Sequence, residues 1–270
     1  MRIMVLACAA AVAAAACAGD AAPPAVADRI AAEWSARKDV PRERIEWVQS
    51  WIEDAETNVS RRVLVIGDSI VGNYFSTVSR MLAGKASCMR LNGSRCVGDP
   101  VLLMEVMAAL SLYKFDVIHV NNGLHGMGLP DEDYARFLPQ YLDYIHALQP
   151  QAKLIWGRTT DVHPQNYKGY AAKHARILAR NAAADAVVKA RGIHATDLFA
   201  ISTAHPEYHV KDGCHFNADG AKALGEAVAA SILAELDGAL GIGKDDRGGG
   251  QGAGRPTRRR LGERASRAFY

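Results

Sequence analysis

Cysteine is scarce in this sequence, and its spacing excludes one common kind of site. Five cysteines occur among 270 residues, and none forms a Cys/His cluster with the spacing of zinc ligands. We therefore expect no structural metal. Three cysteines follow the N-terminal region, namely Cys88, Cys96 and Cys214. In an oxidising compartment this odd number leaves open one disulfide with a free thiol or three buried thiols.

The sequence also lacks a strongly charged body. The formal net charge is +3, but residues 238–270 hold eight basic against three acidic residues, which leaves −2 for the rest of the chain. A mildly acidic body argues against a nucleic-acid partner. The segment 238–270 is rich in glycine and arginine and nearly free of apolar residues, so we predict a disordered basic tail.

Long apolar runs are absent except near the N-terminus. The run from Ile3 to about Cys17 is too short and too rich in alanine to predict a membrane-spanning helix. Arg2 precedes it, and small residues and prolines follow, which is the layout of a secretory signal. The letters AAAC, ending at Cys17, also resemble a bacterial lipoprotein processing site. We predict that residues 1–21 are a signal or lipoprotein leader. The protein would then be exported to the periplasm or lipid-anchored in the bacterial envelope through Cys17.

Residues 22–60 are predicted to be a helical prelude and spacer. Two stretches, DRIAAEWSARKDV and PRERIEWVQSWIEDAE, carry apolar residues at helical spacing. Pro41 suits the first turn of the second helix. The sequence favours a packing role for both helices, outside the core sheet.

Residues 61–237 alternate between short β-branched runs and longer helical patterns. This alternation predicts an α/β domain with a mainly parallel sheet and helices on both faces. The predicted strands are Val63–Ile66, Cys88–Leu91, Phe115–Val120, Lys153–Gly157 and Gly192–Asp197. The predicted helices are Ser76–Ala83, Pro100–Tyr113, Asp131–Leu148, Tyr170–Ala190 and Ala218–Leu236. In such sheets functional residues gather at the carboxyl ends of the strands.

The residues after those strand ends fit acyl transfer. Ser69 follows the first strand in Gly-Asp-Ser and is a candidate nucleophile, which needs a base to take its proton. His215 is the candidate base, and Asp212, three residues earlier, is the candidate group that orients it. Backbone N–H groups around Ser69 and Gly98 are candidate donors to the oxyanion.

Four short blocks resemble the SGNH hydrolases, also called the GDSL-like esterase/lipase family, over about residues 62–236. GDSI and DGCHF resemble the first and last blocks, and NGSRCVGDP resembles the second. The resemblance implies a three-layer α/β/α sandwich with a five-stranded sheet in flavodoxin-like order. It also implies Ser69, Asp212 and His215 as the catalytic residues. Gly98 would be an oxyanion donor, with Gly93 as the alternative.

The third block departs from the family pattern Gly-x-Asn-Asp. Counting from Asp116, Gly123 takes the place of the family glycine, and His125 then stands where the oxyanion asparagine is expected. Either His125 donates through its ring, or an upstream asparagine does, with Asn122 preferred over Asn121.

The resemblance implies an exported serine esterase that needs no metal or organic cofactor. The envelope address and the lack of an apolar lid favour a small acyl ester, such as an O-acetyl group on a carbohydrate. An O-acyltransferase with the same triad and a silent glycan-binding module are the alternatives. A Cys96–Cys214 disulfide would join two loops beside the site, and Cys88–Cys96 is a lesser possibility.

Overall fold

The computed structural model describes residues 23–241, and the predicted leader and most of the basic tail lie outside this range. Six strands form one sheet. They are β1 (Val48–Ile52), β2 (Arg62–Gly67), β3 (Ser87–Gly93), β4 (Val117–Val120), β5 (Lys153–Gly157) and β6 (His194–Thr196). β2 and β4 are buried along their whole length, which suits continuous apolar runs at the centre of a parallel sheet.

Helices alternate with the strands along the chain. They are α1 (Pro23–Ser35), α2 (Ser69–Leu82), α3 (Pro100–Leu112), α4 (Asp131–Leu148), α5 (Tyr170–Ala190), α6 (Leu198–Ala204) and α7 (Ala218–Gly241), with a 3₁₀ turn at Pro206–Tyr208. Apolar side chains of α1, α3 and α4 pack on one face of the sheet, and those of α2 and α7 pack on the other. The predicted three-layer α/β/α sandwich is therefore confirmed.

The strand order across the sheet is β1-β3-β2-β4-β5-β6. All neighbours from β3 to β6 are parallel, and these five strands have the predicted flavodoxin-like order. The sixth strand, β1, is antiparallel to β3 and pairs from Val48↔Gly93 to Ile52↔Met89. A topological switch lies beside β2, because the chain first adds β3 on one side of β2 and then returns to add β4 on the other side. Ligands of open α/β sheets bind at such a point.

The N-terminal segment differs from its prediction. The first helix is present as α1, but the second predicted helix is wrong, because its centre forms β1. Ile45, Val48 and Trp51 have helical spacing, yet all three are exposed. The free edge of β3 supplies backbone hydrogen bonds that no isolated helix could match, and this pairing overrides local propensity. The segment therefore extends the sheet and is not a spacer outside it.

Two features of residues 61–237 also differ from the predictions. α2 begins at Ser69 and not at Ser76, because Asp68 caps it. The short helix α6 was not predicted. Within residues 23–241 no helix combines the length and the apolar character needed to cross a membrane.

Candidate active site

Ser69 follows the end of β2 by two residues and is the first residue of α2. A Cβ on Gly67 would lie only 2.4 Å from Val71 Cγ2, so glycine lets the first turn of α2 pack closely on the end of β2. Asp68 caps the helix, since its carboxylate accepts the Ile70 N–H at 2.9 Å. The backbone N–H of Ser69 then lies among the unpaired donors of a helix N-terminus.

The three predicted catalytic residues meet in a hydrogen-bonded chain. Ser69 Oγ lies 2.8 Å from His215 Nε2, and His215 Nδ1 lies 2.7 Å from Asp212 Oδ2. An ionised carboxylate accepts the Nδ1–H, which leaves Nε2 free to accept the serine proton. The geometry is that of a nucleophile, its base and the group that orients the base.

Asp212 is held in its ionised form. Partial burial raises the pKa of Asp212. Backbone N–H groups of His215 and Cys214 donate to Oδ1, and the imidazole of His215 contacts the carboxylate. Together these interactions outweigh the effect of burial and lower the pKa to about 2. The two backbone N–H donors lie 2.8 and 2.9 Å from Oδ1. The carboxylate therefore stays charged at neutral pH.

The loop that carries Asp212 and His215 is anchored to its surroundings. Val210 N–H donates to the His215 carbonyl at 2.8 Å, and Phe216 N–H donates to Asn73 Oδ1 on α2 at 3.2 Å. Gly213 has a φ of +73°, which closes the turn between acid and base. Asn73 was not singled out from the sequence. It fixes the loop that carries Asp212 and His215 to α2, the helix that begins at Ser69.

The third-block loop, Gly123–Gly126, is held by two cations from α5, of which one is fully buried and the other half-buried. Arg180, whose side chain is fully buried, donates to the carbonyls of Gly123 at 2.9 Å, His125 at 2.6 Å and Gly126 at 2.9 Å. Lys173 donates to the Leu124 carbonyl, and burial lowers the pKa of this lysine. The backbone of this loop is thus held in place before any ligand binds, as expected for the wall of an active site.

His125 contacts a residue of the N-terminal segment. Its Nδ1 lies 3.0 and 2.9 Å from the two carboxylate oxygens of Glu43, and Gly126 N–H donates to Glu43 Oε1 at 3.1 Å. β4 runs parallel to β2, with Val120 opposite Ile66, so the segments that follow the two strands leave the same edge of the sheet. His125, five residues after β4, therefore lies at the same end of the sheet as Ser69.

The two asparagines hold backbone groups. Asn122 Oδ1 accepts the Val97 N–H at 3.1 Å, and its Nδ2 donates to the Arg95 carbonyl at 2.9 Å. Asn121 Nδ2 donates to the Gly157 carbonyl at 2.7 Å. Asn122 thus joins the second-block loop to the third, with one amide hydrogen left over. Its role at the oxyanion stays a prediction.

The two candidate glycines lie in different surroundings. Gly98 has a φ of +95°, and a Cβ there would meet Leu129, Phe137 and Arg37 within 3.3 Å. A Cβ on Gly93 would lie 2.8 Å from the Trp47 carbonyl oxygen. Both positions require glycine for close packing, and the assignment of Gly98 as an oxyanion donor stays a prediction.

The cysteines of residues 23–241 are unpaired, so neither disulfide considered from the sequence is formed. Cys96 packs against Gly126, where a Cβ would lie 2.2 Å from its Sγ. Burial raises the pKa of Cys96 to about 11 and that of Cys214 to about 12, which keeps both as neutral thiols. In the same residue range no group of three or more His, Cys, Asp or Glu side chains could hold a metal ion.

Comparison with solved structures identifies the architecture. A GDSL-like lipase from Parabacteroides merdae superposes with a TM-score of 0.56 at 15% identity, over 65% of this chain and 98% of the lipase. An SGNH hydrolase from Slackia heliotrinireducens gives 0.52 at 18% identity, over 64% and 100%. The chain has the SGNH-hydrolase fold. No protein-family profile matches the sequence, and no curated protein matches it.

A further SGNH-fold neighbour is a carbohydrate esterase of family 3 from Talaromyces cellulolyticus. It has a TM-score of 0.52 and 16% identity, over 66% of this chain and 99% of the esterase. Each comparison covers about two thirds of the chain. At these identities the likeness defines the SGNH fold alone, so the chemistry is argued from the side chains at the strand ends.

Proposed function

We propose that this SGNH-fold protein is a serine esterase that acts through an acyl-enzyme at Ser69. One observation carries the proposal: the continuous hydrogen-bonded chain from Ser69 Oγ through His215 to Asp212, with links of 2.8 and 2.7 Å. A capping role for Ser69 does not account for it, because Asp68 is the residue that caps α2.

The proposed reaction has two halves. Ser69 Oγ attacks the ester carbonyl while His215 Nε2 takes the hydroxyl proton, and Nε2 then returns this proton to the departing alcohol. Water adds to the acyl group by the same route, which releases the acid and restores Ser69. Asp212 stabilises the imidazolium at each half. The Ser69 N–H, at the positive end of α2, is suited to stabilise the oxyanion, with Gly98 and Asn122 as further candidates.

The proposed substrate is a small acyl ester, of which an O-acetyl group on a carbohydrate of the cell envelope is the leading candidate. Two considerations support this choice: the secretory layout of residues 1–21, and the polar pair of His125 and Glu43 at the Gly123–Gly126 loop. The proposal includes export to the periplasm, or attachment to the envelope through a lipid on Cys17.

The proposal is tested by measuring acetate released from an acetylated xylan by the purified protein and by a Ser69→Ala variant. We expect release from the wild type and a fall of at least about 10³-fold in the variant, because loss of the nucleophile removes the acyl-enzyme route. Equal release by the two proteins would contradict it. Release that requires an added glycan acceptor would instead indicate an acyltransferase.

A further inference from the structure

The pairing of Glu43 with His125 reproduces the pairing of Asp212 with His215. In both pairs a carboxylate lies within 3.0 Å of the imidazole Nδ1, and in both it also accepts a backbone N–H. Glu43 lies in the segment between α1 and β1, 82 residues before His125. Glu43 therefore comes from the N-terminal segment, outside residues 61–237, which carry the four hydrolase-like blocks.

The contact fixes the tautomer of a neutral His125. A carboxylate only accepts hydrogen bonds, so Nδ1 must carry the hydrogen that faces Glu43. A neutral imidazole has only one N–H, which leaves Nε2 as an acceptor. The role expected from the sequence, an N–H donated to the oxyanion, would need Nε2 to carry a hydrogen as well.

The other end of the ring is open. The His125 side chain is 19% exposed, and within residues 23–241 no protein group hydrogen-bonds to Nε2. The edge-to-face packing of Trp47, with ring centroids 6.4 Å apart, adds a second restraint from the N-terminal segment. Arg180 and Lys173 hold the backbone on both sides of His125. Ring position and tautomer are thus set before any ligand arrives.

We propose that His125 Nε2 accepts a hydrogen bond from a hydroxyl group on the alcohol part of the ester, and that Glu43 is the residue that positions it. The ligand class is an ester whose alcohol carries a further free hydroxyl, as a partly acylated polyol or sugar does. This inference rests on the proposed esterase function and narrows its substrate. It assigns His125 to substrate selection and leaves the oxyanion to backbone and amide donors.

Two acetate esters of similar size distinguish a role of His125 in recognising the alcohol from a role in stabilising the oxyanion. Glycerol monoacetate carries free hydroxyls on its alcohol, whereas propyl acetate carries none. For the wild type we expect a higher kcat/KM with glycerol monoacetate. In Glu43→Gln and in His125→Phe we expect the ratio of the two kcat/KM values to fall about tenfold, the value of one hydrogen bond. Glu43→Asp should restore most of the ratio, because it keeps a carboxylate.

A matched control is the exposed pair His205–Glu207, in which Nδ1 also lies 3.0 Å from a carboxylate oxygen. Glu207→Gln should leave the ratio at its wild-type value. Circular dichroism confirms that each variant is folded before its rates are compared.

Two outcomes would overturn the inference: no preference in the wild type, or an unchanged ratio in folded Glu43→Gln and His125→Phe. An unchanged ratio in which kcat/KM falls equally for both esters is the result expected if His125 served the oxyanion, which every ester needs. A wild type that matches Ser69→Ala on both esters would instead overturn the proposed function itself.

Discussion

At the residue scale, Asp212 has two tasks, one for each carboxylate oxygen. Oδ1 accepts the N–H groups of Cys214 and His215 and so shapes the turn. Oδ2 accepts the imidazole Nδ1–H. Together these bonds hold the pKa near 2, below the ordinary value of 3.8. A carboxyl with a lowered pKa stabilises the fold above its unfolded pKa, and that contribution is lost as the pH falls towards 2.

The change Asp212→Asn should lower kcat by about 10²- to 10⁴-fold. The amide can keep one oxygen as an acceptor, but its NH₂ group favours the wrong tautomer of His215 and no longer stabilises the imidazolium. Steady-state kinetics at neutral pH check this, with thermal unfolding to confirm the fold. A kcat within threefold of the wild type would show that Asp212 does not orient the base.

Single residues also show how far the sequence could predict the site. Ser69, Asp212 and His215 were identified because short motifs at strand ends constrain them strongly. Glu43 was missed, because an acidic residue in a loop has no pattern that ties it to a histidine 82 positions away. Arg180 was missed for a similar reason, since an arginine in a helical pattern is expected to be solvated rather than to donate to three backbone carbonyls of one loop.

At the element scale, α2 and α7 connect nucleophile and base. α2 begins at Ser69, and α7 begins three residues after His215. The helices cross closely at Gly225, where a Cβ would lie 2.6 Å from Thr77 Cβ and 2.9 Å from the Tyr74 carbonyl oxygen. Close packing of these two helices holds the Ser69–His215 distance.

Gly225→Ala should therefore destabilise the fold by about 1–3 kcal/mol, since the added methyl forces the backbones apart. Urea unfolding measures the change. Gly238→Ala is the matched control on the same helix, because nothing lies within 4 Å of a Cβ there. Helix propensity alone predicts that this control stabilises by about 1 kcal/mol or less. Equal effects of the two substitutions would refute the packing argument.

Elements were predicted well where pattern and packing agree. All five predicted strands and most of the helices are found within a few residues of their predicted bounds. β1 was mistaken for a helix because the pairing edge that recruits it belongs to β3, some 40 positions later, with Val48 opposite Gly93. Local spacing does not record such long-range pairing.

At the scale of the whole molecule, the N-terminal segment is part of the enzyme-like fold. α1 packs on α4, with Trp34 fully buried and its Nε1–H donating to Gln140 Oε1 at 2.6 Å. β1 extends the sheet. Glu43 and Trp47, which lie between α1 and β1 in the chain, contact His125 of the third-block loop. The segment is therefore both a structural layer and a wall of the candidate site.

Trp34→Ala should lower the free energy of unfolding by about 3–5 kcal/mol, because it removes a large side chain from a closed core. Trp51→Ala provides the comparison, since Trp51 is 58% exposed on β1 and its loss should change stability by about 0.5 kcal/mol or less. Denaturant unfolding of both variants gives the two values. Similar small losses would mean that the N-terminal segment is a dispensable spacer.

The central claim is that Ser69 is an activated nucleophile. Its most direct test is reaction of the folded protein with a fluorophosphonate, followed by mass spectrometry of the peptides. We predict one adduct, on Ser69, and its loss in His215→Ala, because the base no longer takes the hydroxyl proton. Folded wild-type protein that carries no adduct on Ser69, or an adduct that survives the loss of His215, would contradict the claim.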